Sequence, residues 1–244
     1  MVEPHKNKGT WHRVREWLKR GDSKESEFRY EKKFLIPLQE LHAFEIRLSR
    51  MACSPIHLPR WINNLYCDTP EYEHLNENIE GLSERKKLRL RWYGDKHGTL
   101  KVTAEFKIKL DDTNTKNSVK LGKIKFPQEM DLNTLFQICM LQWGNNSSNA
   151  IPPANYTPTL LNRYYRSYYL NSAENIRITV DTPIYYENAV TGIRAEQSEY
   201  AIVELKCPAN QIITSDLLPY QLSKSSKYIE GLQLTDPQYE RSSI

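Results

Sequence analysis

Lysine and arginine alternate with other residues in several short segments of this 244-residue chain. Lys87, Arg89 and Arg91 alternate in one segment, and Lys107 and Lys109 alternate in another. Because every second side chain of a β-strand points to the same face, each set would line one face of a strand. Arginine offers bidentate hydrogen bonds and lysine offers a point charge, so such a face suits a phosphate chain.

The first strand and the later strands of the chain repeat this alternation. The cations on the charged faces are Arg29, Lys33, Lys87, Arg89, Arg91, Lys107, Lys109, Arg166, Arg177 and Lys206. The anions on the same faces are Glu31, Glu105, Asp181 and Glu204. Cations greatly exceed anions on these faces, although the net charge of the whole chain is only +4. The positive excess therefore lies on the strand faces.

A sheet with one face in water is the ordinary explanation of such alternation. Faces of that kind usually mix both charge signs, because like charges opposite one another repel. A face that is almost wholly ionic and biased to one sign is costly without a counter-anion. The opposite faces carry apolar residues such as Ile176, Ile178 and Val180, which can pack against helices. The pattern favours a cationic cavity for a polyanion.

Nucleic acid is the rival polyanion, since its binders interleave exposed aromatic residues with cations. The tyrosines that fit such a pattern are Tyr164, Tyr165, Tyr168 and Tyr169. A duplex would not enter a small barrel, and we therefore expect no nucleic-acid partner.

The carboxylates on the cationic faces either neutralise neighbouring bases or hold a divalent cation. Carboxylate oxygens suit Mg²⁺ or Mn²⁺, which often bridge protein carboxylates and substrate phosphates. We expect Glu204 to be a metal ligand, with Glu31 and Asp181 as secondary candidates. The histidines have no ligand spacing and the four cysteines are scattered, which argues against zinc and against a disulfide framework.

Length and composition fit a globular protein, with 39% apolar and 26% charged residues. No apolar run approaches the roughly 20 residues of a membrane helix, and the N-terminus lacks the pattern of a signal peptide. We therefore expect a cytoplasmic protein that would approach a membrane only through a partner.

Strands predominate among the elements that the sequence predicts. They are expected over residues 27–36, 61–67, 86–93, 99–110, 120–126, 160–170, 175–186 and 200–207. Helices are expected over residues 37–51, 131–143 and 216–232, whereas 68–84 is irregular or helical. The predicted fold is α+β, with an antiparallel β-barrel that forms a cationic tunnel flanked by helices. The predicted divisions are an extension or capping helix over 1–26, a tunnel domain over 27–232 and a tail over 233–244.

The first strand resembles a motif of the triphosphate tunnel metalloenzymes, the CYTH superfamily. Arg29, Glu31 and Lys33 are similar to the E-x-E-x-K motif, with arginine at its first acidic position. This form resembles the VTC domain, the polyphosphate polymerase of vacuolar transporter chaperone complexes. Further similar motifs follow in the same order: NNLYCDTP (63–70), LRLRWYG (88–94), AEFKIK (104–109), Tyr164-x-Arg166, RITVD (177–181), VELK (203–206) and SKY (226–228).

The resemblance implies a tunnel of antiparallel strands, with Mn²⁺ or Mg²⁺ bound by Glu204. It implies that Ser226 and Lys227 close one end of the tunnel from the C-terminal helix, and that a further tunnel lysine is Lys120 or Lys123. The residues that it places against phosphates are Lys33, Arg89, Arg91, Lys107, Arg166 and Arg177.

The resemblance also implies transfer of the γ-phosphate of ATP to a growing polyphosphate chain. The end of such a chain is an anionic nucleophile and needs no general base, whereas attack by water does. Arg29 stands at an acidic position that a hydrolase relative would use, which favours the polymerase. A triphosphatase or nucleoside triphosphatase in the same tunnel remains an alternative. So does a non-catalytic module that binds polyphosphate or an inositol phosphate.

Overall fold

The structure is a computed structural model, and it describes residues 29–110, 113–145, 155–208 and 218–236. The strands in these residues are β1 (Arg29–Pro37), β2 (Ser54–Asp68), β3 (Arg85–Tyr93), β4 (Gly98–Leu110), β5 (Thr113–Phe126), β6 (Thr157–Asn171), β7 (Ile176–Asn188), β8 (Arg194–Gln197) and β9 (Tyr200–Pro208). The helices are α1 (Leu41–Arg50), α2 (Glu73–Ile79), α3 (Leu132–Asn145) and α4 (Lys227–Thr235), and a 3₁₀ turn (Leu38–Glu40) precedes α1.

All strands belong to one antiparallel sheet, which confirms the predicted α+β tunnel fold. The pairing order is β1-β9-β7-β6-β2-β3-β4-β5, and β8 pairs with β7. The charge of Lys33 on β1 contributes to the lowered pKa of Lys87 on β3, and the charge of Lys107 on β4 contributes to the lowered pKa of Lys33, so these three lysines lie close together. Since β1 is not adjacent to β3 or β4 in the pairing order, the sheet must curl round to bring these residues together.

The curled sheet is not a barrel closed by strand pairing, because β1 and β5 are not paired within the described residues. Residues 222–226, here called the seam segment, instead run along the free edge of β1. Phe34 forms an isolated bridge with Leu222, and the Ser223 amide donates to the Lys33 carbonyl at 2.9 Å. The seam segment also reaches β3, because Lys87 Nζ donates to Ser226 Oγ at 3.1 Å.

The two faces of β3 show how the sequence pattern builds the wall. Leu88, Leu90 and Trp92 are buried on the outer face, in a core that includes Leu135 and Phe136 of α3. The residues between them, including Arg89 and Arg91, point to the inner face, here called the tunnel face. Apolar burial on the outer face therefore fixes which side chains point inward.

Helix α4 covers part of the tunnel face. The ring of Tyr228 stacks on Tyr66 at 4.9 Å between centroids, and its hydroxyl donates to Asp68 Oδ2 at 2.8 Å. A Cβ on Gly231 would lie 2.5 Å from side-chain carbons of Leu160 and Tyr186, so only glycine permits this approach. This packing sets the position of Ser226 and Lys227 at the start of the helix.

Most predicted elements are present, and the clearest error concerns the C-terminal helix. It begins at Lys227 and not near residue 216; the described residues 218–226 before it are not helical. Pro219 and the serines of this stretch favour non-helical backbone, and the seam segment bonds to β1 instead. β2 begins earlier than predicted, and β8 was not predicted. The helical pattern expected over 1–26 lies outside the described residues.

None of the helices in the described ranges is long and apolar enough to cross a membrane.

Candidate active site

The first group of tunnel-face residues lies on β2, β3 and β4. Arg89 contacts Glu105 through Nε at 2.8 Å and through Nη2 at 2.7 Å. Arg91 Nη1 lies 3.6 Å from the same carboxylate oxygen, and Arg91 Nε donates to Asn64 Oδ1 at 2.7 Å. Asn64 in turn donates to Asn162 at 3.0 Å. These contacts hold two guanidinium groups side by side on the tunnel face.

The second group joins β6, β7 and α4 around one buried carboxylate. Arg166 donates to both oxygens of Asp181, at 2.6 and 2.7 Å, and Lys227 Nζ lies 2.7 Å from Oδ2. Burial alone would raise the pKa of Asp181, but Arg166 and Lys227 together lower it to about 2. Both cations also lie near the ring of Tyr164, at 5.1 and 4.9 Å. Asp181 therefore fixes the C-terminal helix to the wall.

The third group lies on β1 and β9 and contains the two remaining predicted carboxylates. Lys206 Nζ lies 2.8 Å from Glu204 Oε1 and 3.4 Å from Glu31 Oε2. Burial would raise the pKa of Glu204, whereas Lys206 and Arg166 lower it to about 2. Lys33, opposite Glu204 in the β1–β9 pairing, donates to the Ser225 carbonyl at 3.1 Å. Burial, and then the charge of Lys227, lower the pKa of Lys33.

Lys87 is the cation whose surroundings are most clearly deficient in negative charge. Burial, and then the charges of Lys33, Lys107, Arg85 and Arg89, lower its pKa to about 7. Its hydrogen-bond partner is the neutral hydroxyl of Ser226. A bound phosphate would supply the missing negative charge, because an opposite charge favours the ionised form.

Other predicted residues lie nearer the edges of the site. Lys107 and Arg177 are exposed, and Arg177 is opposite Lys206 in the β7–β9 pairing. Lys109 is half-buried and opposite Arg85. Lys120 and Lys123 are both exposed, and they pair with Thr103 and Lys101, which alternate with Glu105 on β4. Only the backbone of Arg29 is described, so the position of its side chain lies outside the described part.

The donor set that best fits a divalent cation is Glu204 with Glu31. Both carboxylates contact the same ammonium group, so they lie close together on the tunnel face. The oxygens of Asp181 are instead occupied by Arg166 and Lys227. No group of three or more His, Cys, Asp or Glu side chains in the described residues is arranged so that it could hold a metal ion by itself. A Mg²⁺ or Mn²⁺ ion would therefore complete its shell with water and substrate phosphates, as these ions commonly do.

Several positioning residues were not recognised from the sequence. Asn64 and Asn162 are fully buried and orient Arg91, and the Ser225 carbonyl orients Lys33. The available signal for the asparagines was a polar residue at an inward position of an otherwise apolar strand. No local pattern indicates a backbone carbonyl such as that of Ser225, since its role depends on where the seam segment runs.

A family model described as the VTC domain matches residues 28–235. This match spans most of the chain, which therefore belongs to the VTC domain family, a group with the triphosphate tunnel fold. No curated protein is significantly similar to the chain.

Solved structures with similarity include a candidate adenylate cyclase from Vibrio parahaemolyticus, at 14% identity and a TM-score of 0.43, covering 84% of each chain. A candidate adenylyl cyclase from Hippeastrum, described as having a dominant triphosphatase activity, has 13% identity and a TM-score of 0.42, covering 82% of this chain and 93% of that one. A protein from Pyrococcus horikoshii OT3 has 10% identity and a TM-score of 0.44, covering 84% and 99%.

Proposed function

We propose that this protein is a polyphosphate polymerase that transfers the γ-phosphate of ATP to the end of a growing polyphosphate chain. The observation that carries the proposal is the state of the four predicted tunnel-face carboxylates. Glu31, Glu105, Asp181 and Glu204 each form a salt bridge with a lysine or arginine. The pKa values of Asp181 and Glu204 are lowered to about 2.

Carboxylates with such low pKa values are poor general bases near neutral pH. Hydrolysis needs a group that orients or deprotonates water, whereas the terminal phosphate of a polyphosphate chain is already anionic. A site rich in cations and poor in bases therefore suits transfer between phosphates. Such transfer depends mainly on positioning and on stabilising the charge of the transition state.

We assign roles to the individual cations according to their positions on the tunnel face. Arg89 and Arg91, held by Glu105 and Asn64, present guanidinium groups to the donor phosphates. Their remaining N–H groups can bind phosphate oxygens in pairs. Lys33, Lys87 and Lys107 approach one another from β1, β3 and β4 and would bind the same stretch of phosphate chain. The other residues that we propose to contact phosphates are Arg166, Arg177, Lys109, Lys206, Lys227, Ser226 and Arg29.

Glu204, with Glu31, would hold the Mn²⁺ or Mg²⁺ ion. When bound, the ion would neutralise phosphate oxygens and polarise the bond that breaks. Lys206 contacts both carboxylates, and together with Arg166 it lowers the pKa of Glu204 to about 2. Arg166 and Lys227, anchored by Asp181 on the adjacent strand β7, then orient the phosphates.

The proposal is tested by incubating the protein with ATP and Mn²⁺ while following ADP, free phosphate and polyphosphate together. We expect ADP and polyphosphate with little free phosphate. Phosphate release without polymer would instead establish a triphosphatase, and tight binding without turnover would establish a binding module. Replacement of Arg89 and Arg91 by alanine should abolish the activity.

The matched control replaces Arg47 and Arg50 by alanine, because it removes the same charge from helix α1 outside the tunnel. This variant should retain the activity of the wild type. Equal effects of the two double replacements would show that only net charge matters, and would contradict the assignment of the tunnel face.

A further inference from the structure

A cluster of aromatic and basic side chains lies at one end of the tunnel face. It consists of His57, Arg60, Tyr93 and Tyr168, here called the rim cluster. The guanidinium carbon of Arg60 lies 4.2 Å from the ring centroid of Tyr93 and 5.4 Å from that of Tyr168. Arg60 Nε also donates to the Tyr168 hydroxyl at 3.1 Å, and His57 packs edge-on to Tyr168 at 5.5 Å.

The strand register places the rim cluster on the same face as the phosphate-binding residues. Tyr168 is opposite Thr179 in the β6–β7 pairing, and Thr179 is opposite Glu204 in the β7–β9 pairing. Opposed residues in a sheet share a face. Adjacent strands are about 4.8 Å apart, so Tyr168 and Glu204 are separated by about 10 Å along this row.

Two further features show that the row is suited to a ligand. The hydroxyl of Thr179, midway between Glu204 and Tyr168, is buried and has no hydrogen-bond partner among the described residues. A buried hydroxyl without a hydrogen-bond partner costs free energy, so a ligand that bonded to it would be favoured. At the end of the row, His57 and Arg60 are exposed, and Tyr93 is 46% exposed.

Tyrosine rings and arginine planes are the surfaces on which nucleobases stack. We propose that the rim cluster is a nucleoside subsite, which binds the base of the ATP donor. Thr179 as a whole is only half-buried, so rotation about its Cα–Cβ bond would present the hydroxyl to the sugar or α-phosphate. This inference rests on the proposed use of ATP and adds the part of the site that distinguishes a nucleotide from bare polyphosphate. Inorganic tripolyphosphate would occupy the cationic groups without reaching Tyr168.

The chain contains a closely matched control for Tyr168. Tyr165 lies on the same strand, is also half-buried, and packs against Trp61 with centroids 5.2 Å apart. An arginine, Arg163, lies 3.9 Å over the Trp61 ring. This second cluster has similar chemistry, but it lies on the outer face, away from the phosphate-binding residues.

The test is calorimetric titration of the full chain with ATP and with inorganic tripolyphosphate. Tyr168→Ala should weaken the binding of ATP by about tenfold or more, the effect expected for loss of base stacking. The affinity of this variant for tripolyphosphate should stay within twofold of the wild type. Tyr165→Ala should leave the affinities for ATP and for tripolyphosphate unchanged. Arg60→Ala, at an exposed position, should give the same selective loss and serves as a second variant if Tyr168→Ala folds poorly.

The proposal is overturned if Arg60→Ala and Tyr168→Ala leave the affinity for ATP unchanged, or if they weaken the binding of ATP and of tripolyphosphate equally. A larger loss of ATP affinity with Tyr165→Ala than with Tyr168→Ala would indicate that the nucleoside binds on the outer face, and would overturn the proposal as well. Because the readout is binding, it is independent of turnover. If the variants selectively lose ATP affinity but the wild type makes no polyphosphate, the nucleoside subsite stands and the polymerase proposal fails.

Discussion

Binding of a triphosphate should draw a proton onto Lys87. In the free protein, burial and the neighbouring cations lower the pKa of Lys87 to about 7. At pH 8 only about one tenth of such a group is charged, and a phosphate beside it would restore the charge. Binding should therefore take up as much as about 0.9 proton at pH 8, but only about 0.1 at pH 6, where the lysine is already mostly protonated.

The uptake is measured by titrating the protein with ATP at pH 8 in buffers of different ionisation enthalpy. The slope of the observed enthalpy against the ionisation enthalpy gives the number of protons exchanged. At this pH the terminal phosphate is largely deprotonated, since the second pKa of such groups is near 6. The variant Lys87→Met should take up fewer protons than the wild type, by most of one proton, because the remaining cations and the ligand are common to both.

Equal proton uptake by the wild type and by Lys87→Met would refute the reasoning. It would mean that the phosphate does not lie beside Lys87, or that Lys87 is already charged at pH 8.

The same lysine gives a second check without a ligand. Since its pKa is about 7 in the folded chain and near 10.4 when unfolded, the unfolded state binds the extra proton between these values. Its contribution should therefore make the folded state more stable as the pH rises from about 7 to 10.

Three further substitutions test other parts of the site. Asp181→Asn should lower the free energy of unfolding in urea by about 3 kcal/mol or more, because it leaves Arg166 and Lys227 buried without their anion; an unchanged midpoint would contradict the anchoring role. Glu204→Ala should abolish metal-dependent turnover and weaken Mn²⁺ binding in calorimetry while circular dichroism stays unchanged, and full activity would remove the metal assignment. Gly231→Ala should cost about 1–3 kcal/mol by overpacking against Leu160 and Tyr186, and a thermal midpoint equal to the wild type would show that α4 packs less closely.

The alternation of residue types was sufficient to predict the sheet and its tunnel face. Leu88, Leu90 and Trp92 needed burial, so Arg89 and Arg91 had to point the other way. This rule depends only on the period of a strand, and it holds along most of β3, β4 and β9. The ends of β2 and the short strand β8 were missed because pairing with neighbouring strands, and not local composition, extends them.

Contacts between distant segments could not be predicted in the same way. The sequence marked Asp181 as an acidic residue on a charged face, but its partner Lys227 comes from a helix that begins 46 residues later. The seam segment contains no strand pattern, and it lies beside β1 because that edge offers free backbone groups. Tyr168 was noted only as one of four tyrosines that fit the pattern of a nucleic-acid binder, since the approach of Arg60 depends on the β2–β6 pairing.

The polymerase proposal requires that the acceptor of the γ-phosphate is a phosphate chain and not water. It is tested most directly by supplying ATP labelled with ³²P at the γ-position, together with unlabelled short polyphosphate and Mn²⁺, and separating the products by length. We expect label at the ends of polyphosphate chains that lengthen with time, with little labelled free phosphate. Label that appears only in free phosphate, with the added chains unlabelled, would contradict it.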